Sequence, residues 1–327
     1  MVNTELLEAL PVLQTSNADT EQENAAFIGA NTVEANLDEI KSRHIIPVFV
    51  KDNETLISHS EFVDAAVSLT ADIFHGEHIL NPQIRVSHPI KGRIPEAKDK
   101  PANQLNEWEK TLYYERMMFV IEIPSIWDTV DGNHLSLTIG GVKAYNLDNL
   151  YSRSLSDQHF KIFIGFKNKV CTNLCVWTDG YLGDVKVKNL DQLKACIRTL
   201  IEAYNKNYHL HNLKQLTEHS LTEQQFAHLI GRCRMYNHLP NDLKAEISPI
   251  LFGDNQISSV VKDYYRDNSF CRDENGNINL WRLYNLFTGA NKSTYIDNFL
   301  DRSVNAFQLA EQLRHASVNR SDCWFLN

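Results

Sequence analysis

The stretch "FKIFIGFKNKVCTNLCVWTDG", residues 160–180, decides the fold class of this 327-residue chain, because it carries the most regular strand pattern. Its first half alternates and places four apolar side chains on one face: Phe160, Ile162, Ile164 and Phe166. Alternation with a period of two is typical of a β-strand. The second half is rich in β-branched residues and contains a tryptophan, which also favours a strand. With "KNK" (167–169) as the turn, the stretch predicts a β-hairpin.

Two cysteines in this stretch, Cys171 and Cys175, raise the alternative of a zinc site. On a helix, residues four apart lie about 6 Å from each other, and both thiolates reach one ion. On a strand they share a face but lie about 13 Å apart along the chain, which is too far for one ion. We therefore expect both cysteines to be buried thiols that line one strand face together with Asn173 and Trp177. We predict no metal.

The remaining patterns predict mainly strands before the hairpin and helices after it. Strands are predicted within residues 44–59, 83–90, 116–123 and 134–141. Helices are predicted at residues 58–76, 105–115, 189–208, 220–239, 256–265, 279–289 and 304–316. Because the strands are not regularly separated by helices, the predicted fold class is α+β. We expect a β-rich, mixed-sheet N-terminal half followed by an all-helical C-terminal half.

Three of the predicted helices have recognisable starts. Ser58 with Glu61, and Ser220 with Glu223, fit the capping-box pattern, in which each of the two side chains bonds the other's backbone N–H. Asn279 is expected to cap the helix that follows it.

Charge is distributed unevenly along the chain, whose net charge is −9. Residues 1–40 contain eight of the 41 acidic residues and no base, which leaves 33 acids against 32 bases in the remainder. We predict an acidic, poorly ordered leader over residues 1–40, a β-rich α+β domain over 41–188 and a helical domain over 189–327.

Several classes of protein are disfavoured by the sequence. No apolar run approaches the roughly 18 residues of a membrane span. The N-terminus lacks a secretory pattern, so we expect a cytoplasmic protein with reduced thiols and no membrane partner. A P-loop, GxGxxG, HExxH and GxSxG are absent from the sequence. We therefore predict no cofactor and no catalytic residue, and an enzyme is the less favoured class.

One diffuse feature points to nucleic acid. Bases interleaved with aromatic residues occur in two regions, near residues 85–100 and 161–169, with further members between them. Cations for phosphates and rings for stacking are what a single-stranded nucleic acid requires of a surface. The candidate binding residues are Arg85, Lys91, Arg93, Tyr151, Arg153, Lys161, Phe163, Lys167 and Lys169. Such a charged face is also typical of an ordinary solvated sheet.

Two other functions remain open. His209 and His211, which flank a leucine, resemble the metal-binding pair of nicking nucleases, in which a tyrosine such as Tyr264 or Tyr265 attacks the phosphate. That motif requires a buried strand, whereas this pair follows a helical pattern and is more typical of a helix C-terminus. The second alternative is a protein–protein adaptor that counters a host defence system, a role that the acidic leader suits.

The chain also resembles a known bacterial family. The similarity lies in "HIIPVFVKDNETLISH", "SHPIKGRIPEA", "LTIGGVKAYNLDNLYS", "KVCTNLCVW", "NLWRLYNLFTGANKS" and "CWFLN", and it extends from about Asn31 to Asn327. These segments resemble the domain of unknown function 3871, which is carried on mobile elements of gut anaerobes. A fainter similarity, in "VCTNL" and "WRLYNLFTG", is to the broader phage/plasmid-like proteins. Neither family supplies an activity or catalytic residues, but the mobile-element context that the resemblance implies favours association with nucleic acid.

Overall fold

The computed structural model describes residues 26–43, 56–148 and 157–326, and the predicted α+β class is confirmed. Ten strands are present in the described ranges: β1 (Thr32–Ala35), β2 (Gln83–Ser87), β3 (Ile90–Arg93), β4 (Lys110–Tyr113), β5 (Arg116–Val130), β6 (Asn133–Ala144), β7 (Gln158–Asn168), β8 (Leu174–Val187), β9 (Ser220–Leu221) and β10 (Ile278–Asn279). Six of them form one sheet in the order β1-β2-β5-β6-β7-β8, while β3–β4 and β9–β10 form two small sheets.

Helices dominate the C-terminal half. The α-helices of the described ranges are α1 (Leu37–Arg43), α2 (His59–Ile73), α3 (Leu190–Ala203), α4 (Lys206–Gln215), α5 (Glu223–His238), α6 (Asn241–Lys244), α7 (Asp254–Arg266), α8 (Leu280–Asn291) and α9 (Ile296–Asn319). Two details differ from the prediction. Every strand pairing in the described ranges is antiparallel rather than mixed, and the helical half includes the short β9–β10 ladder.

The hairpin that the sequence predicted is the pair β7–β8. Its register places Phe166 opposite Cys175 and Lys167 opposite Leu174. The chain turns over residues 169–173, two residues later than predicted, and Thr172 adopts a left-handed conformation in the turn. Cys171 therefore lies in the turn and only Cys175 lies on the strand, so the expectation that both cysteines line one strand face is wrong.

One of the two predicted capping boxes is confirmed, and the other is wrong. Ser58 and Glu61 form the capping box of α2 as predicted. For α5 the prediction is wrong, because the cap is Thr222 with Gln225, two residues further on. The sequence contains both patterns, and Ser220 is instead used by the β9–β10 ladder, in which it is paired with Asn279.

The helix predicted at residues 105–115 is also wrong. A short 3-10 turn, Glu107–Glu109, leads into β4, which is paired with β3 through partners such as Arg93 and Lys110. Local composition favoured a helix, but pairing with a distant segment determines the conformation.

The six-stranded sheet is covered on both faces. One face packs on α2, with Phe62 lying edge-on against Phe119 of β5 and Phe160 of β7. The opposite face carries Phe163 and a set of apolar side chains that pack under α9 and residues 27–28: Met118, Val120, Val142, Leu174 and Val176. Neither face is therefore left for solvent in the middle of the central strands, whereas the end of β5 near Trp127 is exposed.

The folded part of the chain reaches into the predicted leader. Phe27 and Ile28 are buried, and β1 pairs with β2, so residues 26–40 contribute to the core and to the sheet. At the other predicted boundary, β8 ends at Val187 and Asn189 caps α3. Side chains from both sides of that boundary share one hydrophobic cluster, and the division into two domains stays a prediction. Among the helices formed by the described residues, none is long and apolar enough to cross a membrane.

Close strand packing at Gly140 generates a prediction about stability. A Cβ at this position of β6 would overlap the backbone oxygen of Phe119 and lie 2.7 Å from a ring carbon of Phe163. We expect Gly140→Ala to lower the free energy of unfolding by about 3 kcal/mol, because neither backbone nor ring has room to move. Gly231→Ala is the matched control, since a Cβ there meets open space on α5 and removes the glycine penalty of about 1 kcal/mol. Urea denaturation measures the free energy of unfolding of both variants. Equal changes in the two would contradict the close packing at Gly140.

Candidate nucleic-acid interface

The face of β7 that was predicted to bind nucleic acid is covered. Phe163 is fully buried under α9, so its ring has no free face for a base. Lys161 points at the same helix, where its Nζ donates to the carbonyl of Asp297 and to a carboxylate oxygen of Asp301. The expectation that these side chains are exposed is wrong, and the physical reason is that α9, from the far end of the sequence, packs over this strand.

Lys167 is also buried, in an ion pair. Its Nζ lies 3.2 Å from a carboxylate oxygen of Glu122 on β5, and both side chains are nearly inaccessible. Lys169 binds the other oxygen of Glu122, which also accepts a hydrogen bond from Ser136. Burial acts to raise the pKa of Glu122, but the bonds from Lys169 and Ser136 and the two lysine charges outweigh it, so the pKa lies below its ordinary value. The predicted exposure of Lys167 is therefore wrong, and its charge is balanced within the protein.

Arg85 joins two strands. Its guanidinium donates to the backbone oxygen and the side-chain oxygen of Thr32, at 3.0–3.1 Å, and the side chain is 17% exposed. It fixes β1 to β2, with Glu34 at 4.0 Å as a weak ionic partner. Tyr151 and Arg153 lie outside the described residues.

Lys91 and Arg93 differ from the other candidates, because they lie on the small β3–β4 sheet outside the covered faces. Both line a cleft of about 730 Å³, which we call the β3–β4 cleft. Its lining residues are Ser42, Lys91, Gly92, Arg93, Ala102, Leu105, Glu107, Lys110, Thr111 and Leu112. The structure thus brings together two of the predicted binding residues and separates them from those of β7.

An exposed tryptophan, which was not among the candidate binding residues, precedes β4, the partner strand of β3. Trp108 is 69% exposed, and it sits in the turn just before β4, two residues from the Lys110 that is paired with Arg93. The turn is fixed, because the buried Glu109 binds Lys100 and accepts from the backbone of Asn106. The available signal was a tryptophan in the otherwise polar run "NEWEK", which a buried helix face does not explain.

The two histidines of the nuclease alternative point in different directions. They lie in the middle of α4 rather than at a helix C-terminus; His209 is buried and His211 is exposed. The Nδ1 of His209 is 2.6 Å from the hydroxyl of Tyr204. Tyr264 is buried with its hydroxyl donating to the carbonyl of Gly276, while Tyr265 is bound to Glu223. Residues two apart on a helix face nearly opposite sides, so the pair cannot hold one ion.

No metal-binding group is evident in the part of the chain that the structure describes, where no three His, Cys, Asp or Glu side chains gather. Burial raises the pKa of the Cys171 thiol to about 11, which keeps this cysteine protonated at neutral pH.

Comparison with protein families gives one match. The family model described as "Domain of unknown function, B. Theta Gene description (DUF3871)" matches residues 11–326. The chain belongs to the DUF3871 family. Comparisons of this DUF3871 protein with curated proteins and with solved structures find no match.

The buried Glu122 ion pair generates a prediction. We expect Glu122→Gln to lower the free energy of unfolding by about 3–5 kcal/mol, because Lys167 then stays buried without a countercharge. Adding Lys167→Met should recover part of that loss, whereas Lys91→Met should change stability by less than about 0.5 kcal/mol. Denaturant titration measures all three variants. A loss in Glu122→Gln as small as the change in Lys91→Met would show instead that Lys167 is a solvated side chain.

The burial of His209 generates a prediction about pH. Burial lowers its pKa to about 3 from the ordinary 6.5, so the unfolded chain takes up a proton below pH 6.5 while the folded chain does not. Stability should therefore fall as pH drops from 6.5 towards 3, by about 1.4 kcal/mol per pH unit from this group. We expect His209→Asn to flatten the pH dependence of unfolding by about that slope, and His211→Asn is the matched control at an exposed position of the same helix. If the curves of stability against pH for His209→Asn and for the natural protein are parallel, the burial of His209 is contradicted.

Proposed function

We propose that this DUF3871 protein binds single-stranded nucleic acid at the β3–β4 cleft. The observation that carries the proposal is the combination of Lys91 and Arg93, both without a carboxylate partner in the described ranges, with the exposed ring of Trp108. On the six-stranded sheet and its turn, by contrast, Lys161 is bound to Asp301, and Lys167 and Lys169 share Glu122.

The arrangement of the cations supports phosphate binding. Lys91 and Arg93 lie two residues apart on one face of β3, a spacing of about 7 Å, and their partners across β4 are Leu112 and Lys110. Arg93 donates to the carbonyl of Lys100, which positions its guanidinium without neutralising it. Lys110 is bound to Glu107 and contributes less, because its charge is already paired.

The exposed tryptophan supports a single strand rather than a duplex. An aromatic ring on a fixed turn offers a face on which an unpaired base can stack, and stacking is tolerant of sequence. The buried Glu109 holds the Trp108 turn to β3 through the bond from the Ile94 backbone N–H to its carbonyl. Little ordering of the protein is then required on binding.

The family resemblance of the sequence also supports the proposal. A mobile-element setting, which the sequence similarity implies, favours proteins that handle nucleic acid. The nicking nuclease and the protein–protein adaptor stay predictions. Of these two, the nuclease has less support, because His209 is buried and His211 is exposed.

Fluorescence anisotropy with a labelled 20-nucleotide thymidine strand tests the proposal. With about three phosphates neutralised, the slope of log affinity against log salt should be near −2, so raising salt from roughly 50 to 200 mM weakens binding nearly twentyfold. Lys91→Ala with Arg93→Ala should weaken binding and flatten that slope by about 1.4. Trp108→Ala should weaken binding at least about fivefold and leave the slope unchanged, since the ring contacts no phosphate.

Matched controls come from exposed residues elsewhere on the surface. Lys188→Ala with Lys206→Ala removes two exposed charges away from the cleft. Trp127→Ala removes another exposed ring, 57% accessible, from β5. Neither control should change binding. Absence of binding by the natural protein at micromolar concentration and low salt, to DNA and to RNA alike, would refute the proposal.

A further inference from the structure

We infer that a second cleft, beside the first, accepts one unpaired nucleobase of the same strand. This inference rests on the proposed function and deepens it. The second cleft, which we call the Tyr295 cleft, has a volume of about 210 Å³. Its lining residues are Ala30, Asn31, Thr32, Ser87, His88, Ile90, Glu115, Arg116, Tyr295 and Ile296.

The two clefts adjoin each other at β3, on opposite faces of that strand, because successive side chains of a strand alternate. Ile90, the first residue of that strand, lines the Tyr295 cleft, and the next residue, Lys91, lines the β3–β4 cleft. A strand whose phosphates lie on Lys91 and Arg93 therefore reaches the Tyr295 cleft by passing around the N-terminal end of β3, where both clefts have lining residues. The same strand then fills both clefts, and no separate ligand is required.

The charge of the Tyr295 cleft favours a base over a phosphate. Its cation, Arg116, is already balanced, with Nη1 3.0 Å from a carboxylate oxygen of Glu115 and Nε 3.4 Å from one of Asp297. A phosphate would meet those two carboxylates as well as the guanidinium. A neutral ring meets no such repulsion, and the edge of the cleft offers the polar side chains of Ser87, His88 and Asn31.

Two exposed apolar side chains provide the stacking surfaces. Tyr295 is 56% exposed and Ile90 is 41% exposed, and they lie at the same cleft. Tyr295 occupies the cap position before α9, yet its side chain makes no capping hydrogen bond. The ring is therefore not required for the start of the helix, and it is available to a ligand. A flat base between the tyrosine ring and an aliphatic side chain is a favourable arrangement.

The test uses the full chain and the same labelled 20-nucleotide thymidine strand. Tyr295→Ala should weaken binding about fivefold to a hundredfold with an unchanged salt slope, because stacking is lost and no phosphate contact is removed. Tyr295→Phe, which keeps the ring, should bind like the natural protein. The control is Tyr265→Ala, which removes a similarly exposed tyrosine from α7 and should have no effect. Because Tyr295 caps nothing with its side chain, thermal unfolding of Tyr295→Ala should match that of the natural protein.

A second measurement locates the base directly. A strand with 5-iodouracil, irradiated in complex with the natural protein, should crosslink to the peptide that contains Tyr295, as identified by mass spectrometry. If Tyr295→Ala binds normally, or crosslinks occur only at Trp108, the base cleft is wrong while the proposed function stands. If Lys91→Ala with Arg93→Ala also binds normally, or no strand binds at all, the proposed function fails and the base cleft fails with it.

Discussion

The packing of α9 against the Phe163 face of the sheet is the constraint on which the rest of the structure depends. The first half of this 24-residue helix places Phe299, Leu300 and Val304 over the centre of the sheet. At the edge of that contact, Asp301 accepts from both Lys161 and Tyr181, and these polar bonds fix the helix along the strands. Because the other face packs on α2, the middle parts of the central strands are enclosed on both sides. Any charged side chain they carry is then forced into a pair.

Three lysines of the sheet, two of them buried and one partly buried, are paired in this way. Lys143 binds Asp148, Lys161 binds Asp301, and Lys167 binds Glu122. Removing two charges from water is costly, and the mutual attraction compensates only when the geometry is good. Such pairs add little stability over apolar residues, but they penalise wrong registers, since a shifted strand leaves an ion unpaired. We regard their contribution to this fold as one of specificity.

The sequence predicted what depends on neighbours along the chain. The alternation in 160–166 identified β7, and Ser58 with Glu61 identified the start of α2, because both signals arise within a few residues. The region 105–115 was predicted incorrectly, because β3 supplies the pairing that turns its second part into β4. The start of α5 was predicted two residues too early for a different reason. The sequence contains two capping-box patterns there, and nothing local distinguishes them. The covering of β7 by α9 depends on residues about 140 positions away, and no periodic pattern reports on such a contact.

The same limit explains why exposure was predicted wrongly for some of the candidate residues and not for others. A lysine next to a phenylalanine on a strand has the same pattern whether the face is solvated or covered, so Lys161 and Phe163 were assigned to solvent. One local sign pointed the other way: Phe163 and Gly165 give that face an apolar centre, and burial on both faces makes strands nearly continuous in apolar residues. Lys91 and Arg93 are not covered in this way, because β3 pairs only with β4, outside the enclosed sheet. An enclosed sheet pairs its own cations with acids, so unpaired cations are expected on a peripheral element, and Lys91 and Arg93 lie on such an element, the β3–β4 pair.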